Sequence, residues 1–459
     1  MTGSLAVGEN IAGARDTIAA LSTAPGRSAI AVVRISGKEA FRLGQDLIKP
    51  WPTSARHATL CRISDESNQP IDEALVTTFQ SPDSFTGEDV VEISTHGGYY
   101  IATRLVEALI SIGAREALPG EFTRRAVLNG KLDITQAEAI GDLIDARSHA
   151  MHVAAINQLD GGLRRRIEEV RNRLLTLASL IAYDIDFPEE DDGPISRDKI
   201  EAEIKNVLSQ LDALLATVPA GEMIREGAIV VIAGETNAGK SSLFNALLGQ
   251  SRAIVTEIPG TTRDAIEGMV ESEHWPIRLV DTAGFRETTD QVEQMGIEVS
   301  EQYLKRAHVI LACGDNDKSV ERTLESLNGK SSAAALQIRT KSDLPGTSTE
   351  TTRDQIAVSS ETGQGLKDLL RAVDQVLTAT VGSAVAETPI LTRARHVQGI
   401  GNARRELADF ARLWTENNLP APVAAVHLQT ATAALESLIG TVSTDDVLDR
   451  VFSSFCVGK

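Results

Sequence analysis

The sequence predicts an α/β plus α protein, and three observations carry that prediction. An apolar run at 229–233 leads into Gly234-Glu235-Thr236-Asn237-Ala238-Gly239-Lys240-Ser241, after which 242–248 has the spacing of a helix whose leucines face a sheet. Residues 1 to about 130 alternate strand-like and helix-like stretches. From about 131 to 218, and again from 392 to 440, apolar residues recur at helical spacing. The first two patterns call for sheets covered by helices, the third for helices packed on one another. Helical sequence on both sides of the central stretch implies one discontinuous helical domain with the central domain inserted.

Taken in order, 29–35, 75–79 and 90–94 read as strands, separated by polar loops that include Ser84-Phe85-Thr86-Gly87-Glu88-Asp89 and His96-Gly97-Gly98. Residues 99–112 read as an amphipathic helix with Ile101, Leu105, Leu109 and Ile112 on one face. Helix follows at 134–147 and 163–185, the latter carrying Arg164, Arg165, Arg166, Arg171 and Arg173, which read as a solvated face. An acidic break at 187–193 contains Pro188, and helix resumes to 215. Val218-Pro219-Ala220-Gly221 marks a boundary, and a small-residue linker occupies 378–388. The expected domains are 1–130, 131–222, 223–377 and 378–459, the second and fourth being the two helical segments.

A chain of 459 residues is too long for one ordinary core. Three scattered cysteines, Cys61, Cys313 and Cys456, form no even framework, so a reducing cytoplasm is expected. No basic segment followed by an apolar core opens the chain, and no run approaches about 18 apolar residues. Neither export nor membrane association is expected. The formal charge of −19 repels a phosphate backbone on average, so an RNA partner needs local basic patches or a second protein.

The glycine-rich stretch has the composition of a phosphate cradle. Backbone N–H groups around Asn237, Ala238 and Gly239 curl about an anion, and the following helix N-terminus, at Ser241 and Ser242, adds partial positive charge. Lys240 supplies a point charge, and Ser241 a hydroxyl for magnesium. Asp281-Thr282-Ala283-Gly284 ends an apolar run, placing a carboxylate for the magnesium shell and an N–H for the γ-phosphate. Between these motifs, a hydroxyl of Thr261 or Thr262 can reach the metal, which makes that loop a nucleotide-sensing switch. In Thr340-Lys341-Ser342-Asp343, the carboxylate of Asp343 accepts two hydrogen bonds that guanine offers and adenine does not. Ser359, Ser360 and Glu361 then bring an N–H to the guanine carbonyl. Five motifs in this order read as a Ras-like GTP-binding domain with a mostly parallel sheet. Two other classes were weighed. A ribosome-assembly GTPase switch calls for basic flanks, and a folate-dependent transferase with a vestigial GTPase domain calls for damaged phosphate motifs.

Other motifs make the reading more specific. They are Asp16-Thr17-Ile18-Ala19, Pro25-Gly26-Arg27, Arg34-Ile35-Ser36-Gly37, the 84–89 and 96–98 loops, Pro119-Gly120-Glu121-Phe122, Asn129-Gly130-Lys131-Leu132-Asp133 and the terminal Cys456-Val457-Gly458-Lys459. With the GTPase set, they closely resemble the MnmE (TrmE) family of bacterial and organellar tRNA-modification GTPases, essentially end to end. The resemblance implies an N-terminal α/β domain that binds a 5-formyl- or methylene-tetrahydrofolate and dimerises, a discontinuous helical domain, and an inserted GTPase. It also implies a heterotetramer with an FAD-dependent MnmG (GidA) partner. The pair would add an aminomethyl or carboxymethylaminomethyl group to C5 of the wobble uridine, position 34, of certain tRNAs.

By the same resemblance Arg34, Glu92, Lys131 and Lys459 line the folate site. Glu92 suits the pterin and the cations suit the glutamate tail, although Arg34 alone also fits a surface ion pair. Cys456, near Lys459 and Arg450, reads as a nucleophile or proton donor, or as an idle thiol. Phe285 follows Gly284, where Ras-like proteins carry a catalytic glutamine. The family uses a potassium ion instead, when two GTPase domains meet. Its ligands by resemblance are Asn237, Thr256, Ile258 and Thr261, in a nucleotide-contacting loop that also holds Glu257, Pro259, Gly260 and Thr262. Glu293 matches the family's water-orienting glutamate. One departure is Thr340, where the guanine motif usually opens with an asparagine that bonds the base and ties this loop to the phosphate loop. Weaker nucleotide retention is expected from it.

Overall fold

The computed structural model describes residues 16–186, 197–250, 266–281, 301–344, 355–381, 389–415, 421–440, 448, 451–452, 455 and 457–458. The chain forms two compact units, Met1–Gly141 with Glu436–Lys459, and Asp142–Leu435.

The first unit is built on a seven-stranded sheet. Its strands are β1 (Ile18–Leu21), β2 (Ile30–Ser36), β3 (Ile48–Lys49), β4 (Thr59–Ser64), β5 (Pro70–Phe79), β6 (Val90–His96) and β7 (Arg115–Glu116). They lie in the order β3-β4-β5-β6-β2-β1-β7, antiparallel except for β1 with β7. Every second residue of β2, β4 and β6 turns inward, so Val33, Ile35, Cys61, Ile63, Val91 and Ile93 form one apolar face. Helices α1 (Ala40–Leu47) and α2 (Tyr99–Ser111) cover it with Leu43, Leu47, Leu105 and Leu109. Helices α3 (Glu121–Leu128) and α4 (Ile134–Asp145) follow. The end of the chain returns to this unit, where Leu448, Val451 and Phe452 bury against Ile134 and Ala137. Gly120 takes φ +68° and lies against Phe452 and Phe455, leaving little room for a side chain.

The second unit contains helices and a six-stranded sheet. The helices α5 (His149–Leu159), α6 (Gly162–Asp186), α7 (Arg197–Leu215) and α8 (Val218–Glu226) come first. The sheet comprises β8 (Ala228–Gly234), β9 (Ile266–Glu271), β10 (Pro276–Asp281), β11 (Val309–Gly314), β12 (Ala334–Arg339) and β13 (Gln355–Ala357), in the order β13-β12-β11-β8-β10-β9. Only β9 runs antiparallel to its neighbour. Helices α9 (Lys240–Gln250), α10 (Asp317–Leu327) and α11 (Leu366–Val381) flank it. Val230 and Ile232 of β8 pack with Leu243, Phe244 and Leu247 of α9, while Ile229 and Val231 pack with Leu304 and Leu327 on the other face. Burial on both faces explains why β8 reads as an unbroken apolar run.

Two further helices, α12 (Ala394–Thr415) and α13 (Ala421–Ile439), complete the described elements. Leu174, Leu177, Val207, Leu211, Ile400, Leu407 and Phe410 on α6, α7 and α12 are fully buried. Ion pairs Arg173–Glu203, at 2.9 Å, and Arg404–Asp212, at 2.6 Å, join α7 to α6 and α12. Three other arginines of α6 are engaged locally: Arg164 with Glu168, Arg166 with Glu169, and Arg165 with the Asp160 carbonyl. That agrees with a solvated face.

The 218–221 stretch, expected to mark a boundary, opens α8. Pro219 sits in the first turn, where its missing N–H has no intrahelical partner to lose. The segments that lead into and out of the sheet run side by side here. Leu391 N donates to Thr217 Oγ1 at 3.1 Å, and Gly221 lies directly against the Leu391 carbonyl.

Candidate functional site

The phosphate loop begins where β8 ends, and each constraint on its path is a close contact. Gly234 lies against the carbonyl of Cys313 on β11, leaving no space for a Cβ. Asn237 and Gly239 both adopt positive φ, +64° and +80°, so the chain reverses direction twice before α9 begins at Lys240. Three loop carbonyls are taken by side-chain donors. Lys240 Nζ donates to Glu235 O at 2.8 Å, Lys341 Nζ to Asn237 O at 2.8 Å, and Thr340 Oγ1 to Ala238 O at 2.7 Å. Carbonyls of the loop are engaged this way, and the Ala238 N–H donates to Glu235 O at 3.2 Å, so the turn is held by bonds within the loop and from Thr340 and Lys341. Ala238 and Lys240 are buried, while Asn237, Ser241 and Ser242 are exposed.

Asp281 closes β10 and is almost fully buried, opposite Ile232 of β8. Burial pushes the Cys313 thiol up to about 12, with Lys240 pulling it down and Asp281 pushing it further up. A buried carboxylate at the end of a strand beside β8 is suited to a divalent cation.

The 340–343 and 359–361 segments, expected to read guanine, meet at the ends of β12 and β13. Thr340 is 1% exposed, and its N–H also donates to Gly314 O at 2.9 Å. The Thr340 hydroxyl therefore ties this loop to the phosphate loop through the Ala238 carbonyl. Asp343 is exposed, and one of its oxygens accepts from Ser359 Oγ at 2.6 Å. Ser359 is buried and is itself fixed by its N–H to Gln364 O at 3.0 Å, with Ser360 and Glu361 following. Glu293, Thr256, Glu257, Ile258, Pro259, Gly260, Thr261, Thr262, Thr282, Ala283 and Gly284 lie outside the described residues.

In the first unit, Arg34 on β2 and Glu92 on β6 stand directly opposite each other in register. Arg34 donates from Nη2 and Nε to Glu92 Oε1 at 2.7 and 3.0 Å. The guanidinium lies 5.4 Å from the Phe85 ring centroid and 5.6 Å from that of Phe122, within cation–π range. Lys131 is exposed, and its stem lies against Gly87 of the loop that also carries Phe85. Gly458 takes φ +92° and packs on the Leu21 carbonyl at the end of β1, the strand paired with β2. Cys456 and Lys459 lie outside the described residues.

Sequence reasoning missed the network beneath this site. Arg125, whose side chain is 6% exposed, meets Asp16 Oδ1 at 2.6 Å, Glu121 at 3.0 Å and Glu88 at 3.2 Å. Arg115 adds ion pairs to Asp16 and Glu121 at 2.7 and 2.6 Å. Burial alone would raise the Asp16 and Glu121 carboxyls, but the hydrogen bonds from Arg115 and Arg125 outweigh it and hold both below the usual range. The three carboxylates, Asp16, Glu88 and Glu121, sit in the motifs at 16–19, 84–89 and 119–122. Only the fold shows that three motifs far apart in sequence share one cluster.

The central sheet, its phosphate loop and the base-side loops define the class: a P-loop nucleotide-binding protein joined to helical and antiparallel α/β parts. Comparison with known proteins narrows this. The family profile for the MnmE helical domain matches residues 134–456, and that for the GTP-binding protein TrmE N-terminus matches 17–131. The chain is similar to the tRNA modification GTPase MnmE of Moorella thermoacetica, 40% identical over 465 residues covering 97% of this chain and 99% of that protein. It is also similar to those of Thiobacillus denitrificans, 38% identical over 97% of this chain and 98% of that protein, and Aquifex aeolicus, 37% identical over 97% and 100%. The chain belongs to the MnmE family of tRNA modification GTPases.

Proposed function

We propose that this chain hydrolyses GTP and that it acts in tRNA modification. Membership of the family supports both statements, and the observation that carries the first is the phosphate loop with Glu235, Asn237 and Ala238 carbonyls held by Lys240, Lys341 and Thr340. Phosphates would sit over the N–H groups of Asn237, Ala238, Gly239, Lys240, Ser241 and Ser242. Asp343 would select guanine, with Ser359 orienting its carboxylate. Magnesium would be held by Ser241 and Thr262, with Asp281 in its shell, and would neutralise charge on the phosphates. Lys240 would leave the Glu235 carbonyl for a phosphate oxygen.

The finer reading follows the family. Asn237, Thr256, Ile258 and Thr261 would hold potassium when two GTPase domains meet in a homodimer, and Glu293 would orient the attacking water. Arg34, Glu92, Lys131 and Lys459 would bind a tetrahydrofolate. The charge pair between two aromatic rings suits a ligand with a flat heterocycle and an acidic tail. With an FAD-dependent MnmG-type partner in the cytoplasm, the product would be a C5-aminomethyl or carboxymethylaminomethyl group on uridine 34. Cys456 would serve that chemistry. The four-part division at 130, 222 and 377 follows the family, and the side-by-side run of 217–221 with 389–391 supports its inserted part, since an inserted domain needs adjacent ends.

The test is steady-state GTP hydrolysis in potassium against sodium buffer, on the full chain and on Glu293→Ala. Potassium should stimulate hydrolysis severalfold or more, and the variant should bind nucleotide yet lose that stimulation. Equal rates in the two salts would remove the potassium site and leave a plain GTPase.

A further inference from the structure

Glu235 is the acidic residue of the phosphate loop, and an anionic side chain there opposes the binding of a polyphosphate. The structure turns that carboxylate away. Ser319 Oγ donates to Glu235 Oε2 at 3.0 Å, and Arg322 Nη1 lies 2.9 Å from Oε1. Ser319 and Arg322 are three residues apart on α10, so they present on one face. Helix α10 is itself fixed in place. Its N-cap Asn316 accepts from Ser319 N at 3.0 Å, and its first turn lies against Gly314 at the end of β11. Ser319 is 2% exposed, so its hydroxyl is a rigid donor, whereas the Arg322 side chain is 60% exposed and also donates from Nε to the Lys318 carbonyl at 3.2 Å. Glu235 is thus engaged at both ends: its carbonyl by Lys240, its carboxylate by α10.

We propose that Arg322 is a positioning residue for nucleotide binding. Acting through Glu235, it compensates and directs a carboxylate that would otherwise repel the phosphates, and in doing so raises affinity for GTP and GDP without touching either. The proposal rests on the reading of this chain as a GTPase. Its exposed geometry makes the effect modest and sensitive to salt.

The experiment compares KM and kcat for GTP, and Kd for a fluorescent GDP, on the full-length wild type, Arg322→Ala, Arg322→Lys and Arg322→Ala combined with Glu235→Gln. Potassium is held constant while choline chloride is varied. Arg322→Ala should raise KM and Kd roughly three- to tenfold at low salt, with kcat within about twofold, and the rise should shrink as salt increases. Arg322→Lys should recover most of the loss. On the Glu235→Gln background the alanine change should move KM by less than about twofold, because no charge remains to compensate. A rise in KM that persists on that background or ignores salt, or a fall in kcat at unchanged KM, overturns the proposal. A wild type that neither binds nor hydrolyses GTP overturns it together with the GTPase reading.

Discussion

At the scale of single residues, Thr340 separates two roles that one asparagine usually combines. Its hydroxyl donates to the buried Ala238 carbonyl at 2.7 Å, so the base-side loop and the phosphate loop stay tied. What threonine lacks is the amide that would also reach the base. Thr340→Val keeps the shape but leaves that carbonyl without its donor, a cost of about 1–3 kcal/mol. Fluorescent GDP should leave this variant roughly five- to a hundredfold faster in stopped-flow chase, whereas Thr340→Asn should slow release below wild type. The same rate in the valine variant as in wild type would mean that the tie contributes nothing to nucleotide retention. Thr340 was visible in sequence as a departure, but its buried bond was not, because the partner lies 102 positions away.

At the scale of elements, the crossing of α8 with the 389–392 segment fixes the junction of the central sheet with its flanking helices. A methyl group at Gly221 would run into the Leu391 carbonyl, and backbone on both sides leaves no flexible side chain to move. Gly221→Ala should therefore lower stability by about 1–3 kcal/mol or more, seen as a drop of several degrees in calorimetric Tm, while Gly249→Ala, which meets nothing within 4 Å, should not. Equal melting of the two variants would show that the junction is slack. The strands β8 and β10 were legible because nearly all their residues are buried and read as apolar runs. Strand β9 was not, since Ile266–Glu271 mixes glycine and two glutamates on an edge paired only with β10. Pro219 hid α8, as a proline reads equally as a break and as a first helical turn.

At the scale of the whole molecule, the first unit depends on an ionic cluster that joins its N-terminal strand, the 84–89 loop and α3. Because the folded-state carboxyls of Asp16 and Glu121 titrate below their unfolded values, their contribution is fully present above about pH 4–5 and is lost as pH falls through the folded values. Acid should thus destabilise this unit progressively below about pH 4. Arg125→Met, which strips a buried cation from three carboxylates, should cost roughly 3–5 kcal/mol at neutral pH and reduce that acid dependence. Denaturant unfolding at pH 7 and below about pH 4 checks both; a variant that loses no stability at pH 7 would show the cluster to be dispensable.

Local pattern was enough to read the α/β plus α class, the helical segments on both sides of the central sheet and the glycine-rich turn between β8 and α9. Those features rest on periodicity and on residue types at short spacing, which survive in any sequence read by itself. Packing decided the rest. It brought Asp16, Glu88 and Glu121 onto Arg125, laid Gly458 on the end of β1, and turned Glu235 toward Ser319 and Arg322. Each of these joins groups whose separation along the chain carries no signal, so their energies arise only once sheets and helices have set the distances.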